Sequence, residues 1–410
     1  MAESYHFEAP GAHSMRGDET NGIARAAPIL RAGPFNRLQQ AIGLMDEYNP
    51  RTARRAVLFA LVSWLPLVVL VGVQRGAIDG GPERSMLLDF STHARFLLAL
   101  PLLIVGEVAA DRRFLIMSDY LVASGIVAGP ERQKYARIIS DTRRLRDSGV
   151  AALIFLLLAY VTSALSTFHT MDLYRLTWLA AGTDGARTLS WAGLWQVALS
   201  LPLFQFLVYS ILWTWFVWLI YLWRLSRLEL RLTPTHQDGV GGLSALGDSS
   251  YVIAIFVFAI GSVIGSEWAE QVAFYGASVL DFHKPFIAYL LLAILFSFGP
   301  LLIFAGRLNR LRLSGLRDYG AMVSRQAQLF DDRWIKSHEP EGKPIPGNQD
   351  IGSLSDLNNS YKAVSRMKLI PLEFRSVAVI AIAALIPMAP LILMQFPLRK
   401  VLETLVRVVF

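Results

Sequence analysis

His236 and Asp238 stand two residues apart in the string Thr233, Pro234, Thr235, His236, Gln237, Asp238, Gly239, Val240, Gly241, Gly242, Leu243. An imidazole and a carboxylate at that spacing can ligate a metal, act as a base with its orienting partner, or hydrogen-bond to hold a turn. Zinc centres take three or four protein ligands, so the pair by itself makes half a metal site. The plainer role is that Asp238 caps the next segment while His236 closes a tight loop. Pro234 ends the preceding helix, and Gly239, Gly241 and Gly242 allow backbone geometries closed to other residues. Asp350 and Asp356 flank a polar helix start that Ser353 and Ser355 can cap, and they would enlarge the His236 site if the two loops meet.

A second group consists of carboxylates near apolar runs: Glu107, Glu267 and Glu270. At membrane depth a carboxylate is costly enough to imply a cavity, a cation path or a proton relay, whereas at a span boundary it simply faces water. Gly261 and Gly265, like Ser262 and Ser266, are four apart and place small residues along one helix stripe, which favours close packing. Gln196 and Ser200 share one face of their helix, but Gln205 and Tyr209 fall opposite, so no polar stripe lines it. Prolines 101, 202, 300, 387 and 390 lie within apolar stretches, where neighbouring helices must satisfy the freed backbone groups.

These residues have to be positioned by membrane helices. Mean hydropathy is +0.42, and 54% hydrophobic against 17% charged residues is more apolar surface than a soluble domain buries. Seven segments, roughly 56–73, 96–110, 150–167, 194–223, 251–275, 285–305 and 376–396, are near the ~20 residues a span needs. The expected fold is therefore an all-α polytopic bundle over residues 56–396. Residues 1–55 form a disordered arm with a short amphipathic helix from Phe35 to Tyr48. Residues 111–149 and 306–375 hold amphipathic cytoplasmic helices, the first as two helices along the surface broken at Gly129 and Pro130. In the second, the tract from His338 to Gly352 is a loop between helical halves. Residues 397–410 make an interfacial amphipathic helix.

Arginines cluster before the first span, between the second and third, after the fourth and after the sixth. If all seven segments cross, these clusters share one side, which places the N-terminus in the cytoplasm and the C-terminus outside. If the fifth segment re-enters at Glu267 and Glu270, the C-terminus stays inside. The net charge of +7 is read as retained loops attracted to anionic lipid rather than as a nucleic-acid surface. The absence of cysteine excludes a Cys nucleophile, disulfides, thiolate metal sites and palmitoylation.

The loop string, the aromatic run from Trp213 to Trp223, Arg95 through Arg113, Pro202 through Phe206 and Asp350 through Leu357 resemble a family of bacterial multi-pass inner-membrane proteins. Their loop reads His, Pro, Asp, two variable residues, Gly, Gly, Leu; here Gln237 stands in place of the proline. The resemblance implies a bacterial plasma membrane protein and carries no activity. Three functions follow as expectations. The leading one is transport of a small ion or solute along Glu107, Glu267 and Glu270. The others are a scaffold or sensor that binds a protein at the cytoplasmic face, and an interface enzyme using His236 and Asp238. No cofactor is specified, and the oligomeric state stays open.

Overall fold

The computed structural model describes residues 51–74, 86–173, 178–181, 188–336 and 348–395. The expected helix at Phe35–Tyr48 and the expected interfacial helix at 397–410 lie outside the described residues. The chain is all-α: α1 (Thr52–Val73), α2 (Phe90–Ala123), α3 (Glu131–Arg146), α4 (Gly149–Leu173), α5 (Trp191–Ser226), α6 (Ser250–Phe274), α7 (His283–Phe298), α8 (Ala305–Phe330), α9 (Asn348–Ser365), α10 (Phe374–Leu385) and α11 (Ala389–Gln395). A two-residue antiparallel pair, β1 (Ala180–Ala181) with β2 (Thr188–Leu189), precedes α5. Among the described residues seven helical stretches are long and apolar enough to cross a membrane, one for each of the seven expected segments.

Two boundaries differ from the sequence reading. α1 begins at Thr52 and takes in Thr52–Arg55, because Arg55 is buried against α2 instead of trailing in an arm. Residues 111–123 are not a separate surface helix but continue the second span. No breaker intervenes before Gly125 and Gly129, whose positive φ values of 73° and 59° end the helix and turn the chain into α3. α6 is uninterrupted over 25 residues, about 37 Å at the α-helical rise, and Glu267 and Glu270 lie within its last two turns.

α6 forms the axis of the bundle, with half of its apolar window buried, whereas α4 buries only 11% and turns Leu153, Leu157, Val161 and Leu165 outward. That exposed face needs lipid to cover it. The small-residue stripe does what its spacing suggests. A Cβ at Gly261 would meet the Tyr289 hydroxyl at 2.7 Å, and one at Gly265 the Pro387 carbonyl at 2.7 Å, so α6 seats directly against α7 and the turn after α10.

Prolines shape the remaining contacts. Each removes the N–H that would bond the carbonyl four residues earlier, a group that finds no water in hydrocarbon. Pro66 in α1 frees Val62, Pro202 in α5 frees Ala198, and Pro300 after α7 frees Phe296. Each of these carbonyls accepts from an aromatic side chain on another helix: Trp195 Nε1 donates to Val62 O at 3.3 Å, Tyr160 Oη to Ala198 O at 3.1 Å, and Trp215 Nε1 to Phe296 O at 2.9 Å. Widened π turns at Ala94–Ala99 and Gln196–Ser200 sit just before Pro101 and Pro202 and relieve the ring clash.

Trp215→Phe keeps the ring but strands the Phe296 carbonyl, and is expected to lower stability by about 1–3 kcal/mol. Pro300→Ala returns an N–H to that carbonyl, so the double variant should recover part of the loss. A double-mutant cycle on thermal unfolding in mild detergent measures the coupling, and additive effects would remove this account.

Candidate functional site

The His236 loop is built around the Asp238 carboxylate. Val240 and Gly242 N–H donate to its Oδ1 at 2.9 and 3.1 Å, and Ser244 N–H to its Oδ2 at 3.1 Å. His236 Nδ1 lies 2.9 Å from Oδ1 and 3.3 Å from the Asp238 N–H, so that nitrogen either donates to the first or accepts from the second. Burial raises the carboxyl pKa, but the three N–H groups and His236 outweigh it and hold Asp238 below its ordinary value. Gly242, at φ 100°, brings the loop onto Ile126, where a Cβ would come within 2.8 Å of the side chain. Lys368 N–H donates to Gly239 O at 2.8 Å and Arg231 N–H to Ile126 O at 2.9 Å. The loop thus clasps three connections together.

α9 begins at Asn348, so Ser353 and Ser355 lie in its second and third turns and cannot cap it. Asp350 falls in the first turn, and Asp356 is exposed further along the helix. Among the described residues no three His, Asp or Glu side chains gather where they could hold a metal ion.

The carboxylates fall at opposite ends. Glu270 Oε1 accepts from Ser91 N–H at 2.7 Å, at the start of α2, where Asp89 caps the helix through Thr92 N–H at 2.7 Å and accepts from Trp178 Nε1 at 2.9 Å. Glu107 lies sixteen residues further along α2 than Ser91, about 24 Å at the helical rise. It therefore belongs to another site. Glu107 and Asp111 share one face of α2 at i and i+4. Arg146 Nη2, from the end of α3, lies 3.5 Å from Glu107 and 4.0 Å from Asp111, and Arg55 Nη2 lies 3.5 Å from Glu107. The side chains of Arg55, Arg146 and Asp111 are 1%, 8% and 2% exposed, so these charges depend on one another for solvation.

Further ion pairs gather the basic clusters at this same end. Arg113 pairs with Asp248, and Arg224 with Asp141 at 3.2 Å. Arg307 donates to the carbonyls of Ser226, Leu228 and Leu230 and so satisfies the chain leaving α5.

Beside the Glu107–Arg146 pair the helices leave two adjoining cavities. The larger, about 110 Å³, lies among α2, α3, α5, α6 and α7. Glu107, Asp111, Arg113 and Arg146 rim it, and Phe114, Met117, Trp215, Trp218, Phe256 and Phe296 are among the apolar groups that line it. The smaller, about 70 Å³, is bounded by Arg146, Asp147, Ser148, Ser210, Trp213 and Thr214, and shares Glu107, Arg146, Ile211 and Thr214 with the first. The aromatic wall is rigid: Trp215 stacks on Phe296 with centroids 4.2 Å apart, and Trp218 on Tyr221 at 5.3 Å. Gly106 lets Phe256 press onto α2, since any Cβ there would collide with that ring.

Of the candidate residues from sequence, only Glu107 reaches this cavity. The signal for the others was present but faint: Arg55 at the mouth of an apolar run and Asp111 one turn after Glu107 both require buried partners. With seven candidate spans and an all-α bundle, the chain is an integral membrane protein. No family model matches it, and no curated protein or solved structure does either.

Because the folded-state pKa of Asp238 lies below its ordinary 3.8, its contribution to stability is complete above that value. It is lost as the pH falls through the folded value. Asp238→Asn should therefore destabilise the protein by roughly 2 kcal/mol at neutral pH, and the gap should begin to narrow only as the pH falls below about 4. Unfolding midpoints of both proteins across that range check it; a gap independent of pH would contradict the assignment.

Proposed function

We propose that this protein carries a small solute across the membrane and holds it during passage in the cavity beside Glu107 and Arg146. One observation carries this reading: an apolar chamber walled by aromatic rings opens onto a buried cluster of charges inside the bundle. Binding sites take this form, with a mostly apolar lining and a few polar groups that fix orientation. The apolar lining favours a solute with a hydrocarbon body over a bare ion, and the distance between Glu107 and Glu270 argues against one continuous row of carboxylates. By the positive-inside rule the arginine-rich end faces the cytoplasm of a bacterial cell, so the cavity is loaded or emptied on that side.

Octyl phosphate and octyltrimethylammonium cross lipid slowly unaided and serve as probes. Proteoliposomes should take up at least one of them faster than empty liposomes. Val252 of α6 also lines the larger cavity, and Val252→Phe, which fills it, should cut that uptake by about tenfold while leaving the unfolding temperature close to wild type. Uptake of neither probe above empty liposomes would sink the proposal.

A further inference from the structure

Two of the side chains that line the smaller cavity carry hydrogen-bond donors with no acceptor. Arginine offers five N–H donors and no acceptor, and indole offers one donor. On Arg146, Nη2 serves the carboxylates and Nε reaches Thr214 Oγ1 at 3.4 Å, while Nη1 is buried with no acceptor. Trp213 Nε1 is buried and unmet as well, although its ring is held by Phe155 and Phe216 at 5.8 and 5.7 Å. Buried donors without partners are costly, because they have given up water and gained nothing. Arg55, Arg143 and Arg146 balance Glu107, Asp111 and Asp147 in formal charge, so the neighbourhood is neutral before anything binds. A group rich in acceptors satisfies both donors, and a cation satisfies neither. The adjoining chamber offers aromatic and aliphatic walls, with its charged side chains Glu107, Asp111, Arg113 and Arg146 at the rim.

Resting on the solute-binding reading above, we infer that the two chambers together take one anionic amphiphile, with its carboxylate or phosphate head on Arg146 Nη1 and Trp213 Nε1 and its hydrocarbon body against Trp215, Trp218 and Phe256. Arg146 lines both chambers and sets the point where head meets tail. Charge-assisted bonds from a guanidinium and an indole favour an anion over an uncharged acceptor of the same shape. The hydrocarbon adds affinity by leaving water.

Equilibrium binding to the full chain in lipid nanodiscs, corrected with empty nanodiscs, tests this with octyl phosphate, octanoate, octyltrimethylammonium and inorganic phosphate. Both octyl anions should bind at least about tenfold tighter than the cation. Trp213→Phe, which retains the ring and removes the donor, should weaken the anions about tenfold and the cation far less. The indole N–H resonance missing from the Trp213→Phe spectrum should shift in wild type on adding octyl phosphate and stay in place with the cation. Cation binding equal to or tighter than anion binding overturns the head assignment and leaves the solute-binding reading standing. Inorganic phosphate binding as tightly as octyl phosphate overturns the amphiphile. Binding of no octyl probe overturns both readings.

Discussion

A helix inside lipid has no water to complete its hydrogen bonds, and that constraint organises this bundle. Three prolines each leave a carbonyl without its usual donor, and three aromatic side chains from neighbouring helices supply one. All three bonds involve α5, as donor for α1 and α7 and as acceptor for α4. The helix that also walls both cavities is thereby fixed to three neighbours by directional contacts, in a solvent where apolar packing alone discriminates poorly between helix faces. Trp215 shows the consequence most clearly: the bond to Phe296 that satisfies the backbone also sets the stacked rings of the larger chamber.

Charge is handled under the same restriction. Arg55 and Arg146 are nearly inaccessible, and Glu107 and Asp111 on the facing side of α2 supply the opposite charge that replaces water around their guanidinium groups. Such a cluster is a weak source of net stability, since desolvation offsets most of the attraction. Its value lies in specifying which faces of α1, α2 and α3 meet. The same arrangement leaves Arg146 Nη1 without an acceptor, and Arg146 lines both cavities. At the opposite end, Glu270 and Asp89 are used to terminate α2, a structural task that needs no ligand.

Much of the architecture was legible in the residue pattern because hydrocarbon thickness imposes a length and a composition that no loop reproduces. Seven apolar stretches, the gathering of arginines at one end and the glycine stripe of α6 follow from that. The capping role in the His236 loop was also readable, as glycines at 239, 241 and 242 allowed the backbone to turn and Asp238 stood where it could cap the next segment. The continuation of α2 past residue 110 was not, because its polar surface from Asp111 onward resembles a solvated helix until its packing partners are known. Likewise the helix start at Asn348 displaced the caps that Ser353 and Ser355 seemed to offer.

The sequence by itself determined that this is an all-α membrane protein, which segments are long and apolar enough to span, and where glycine leaves the backbone free to turn. Those are local or one-dimensional properties: periodicity, run length, steric permission. Only the tertiary structure decided that Glu107 meets Arg55 and Arg146 while Glu270 meets the start of α2, and that Trp195, Tyr160 and Trp215 each serve another helix. Those pairings join residues between 38 and 133 positions apart. They depend on which helix faces come together, and a bilayer that wets every apolar face alike leaves that choice to the full set of contacts.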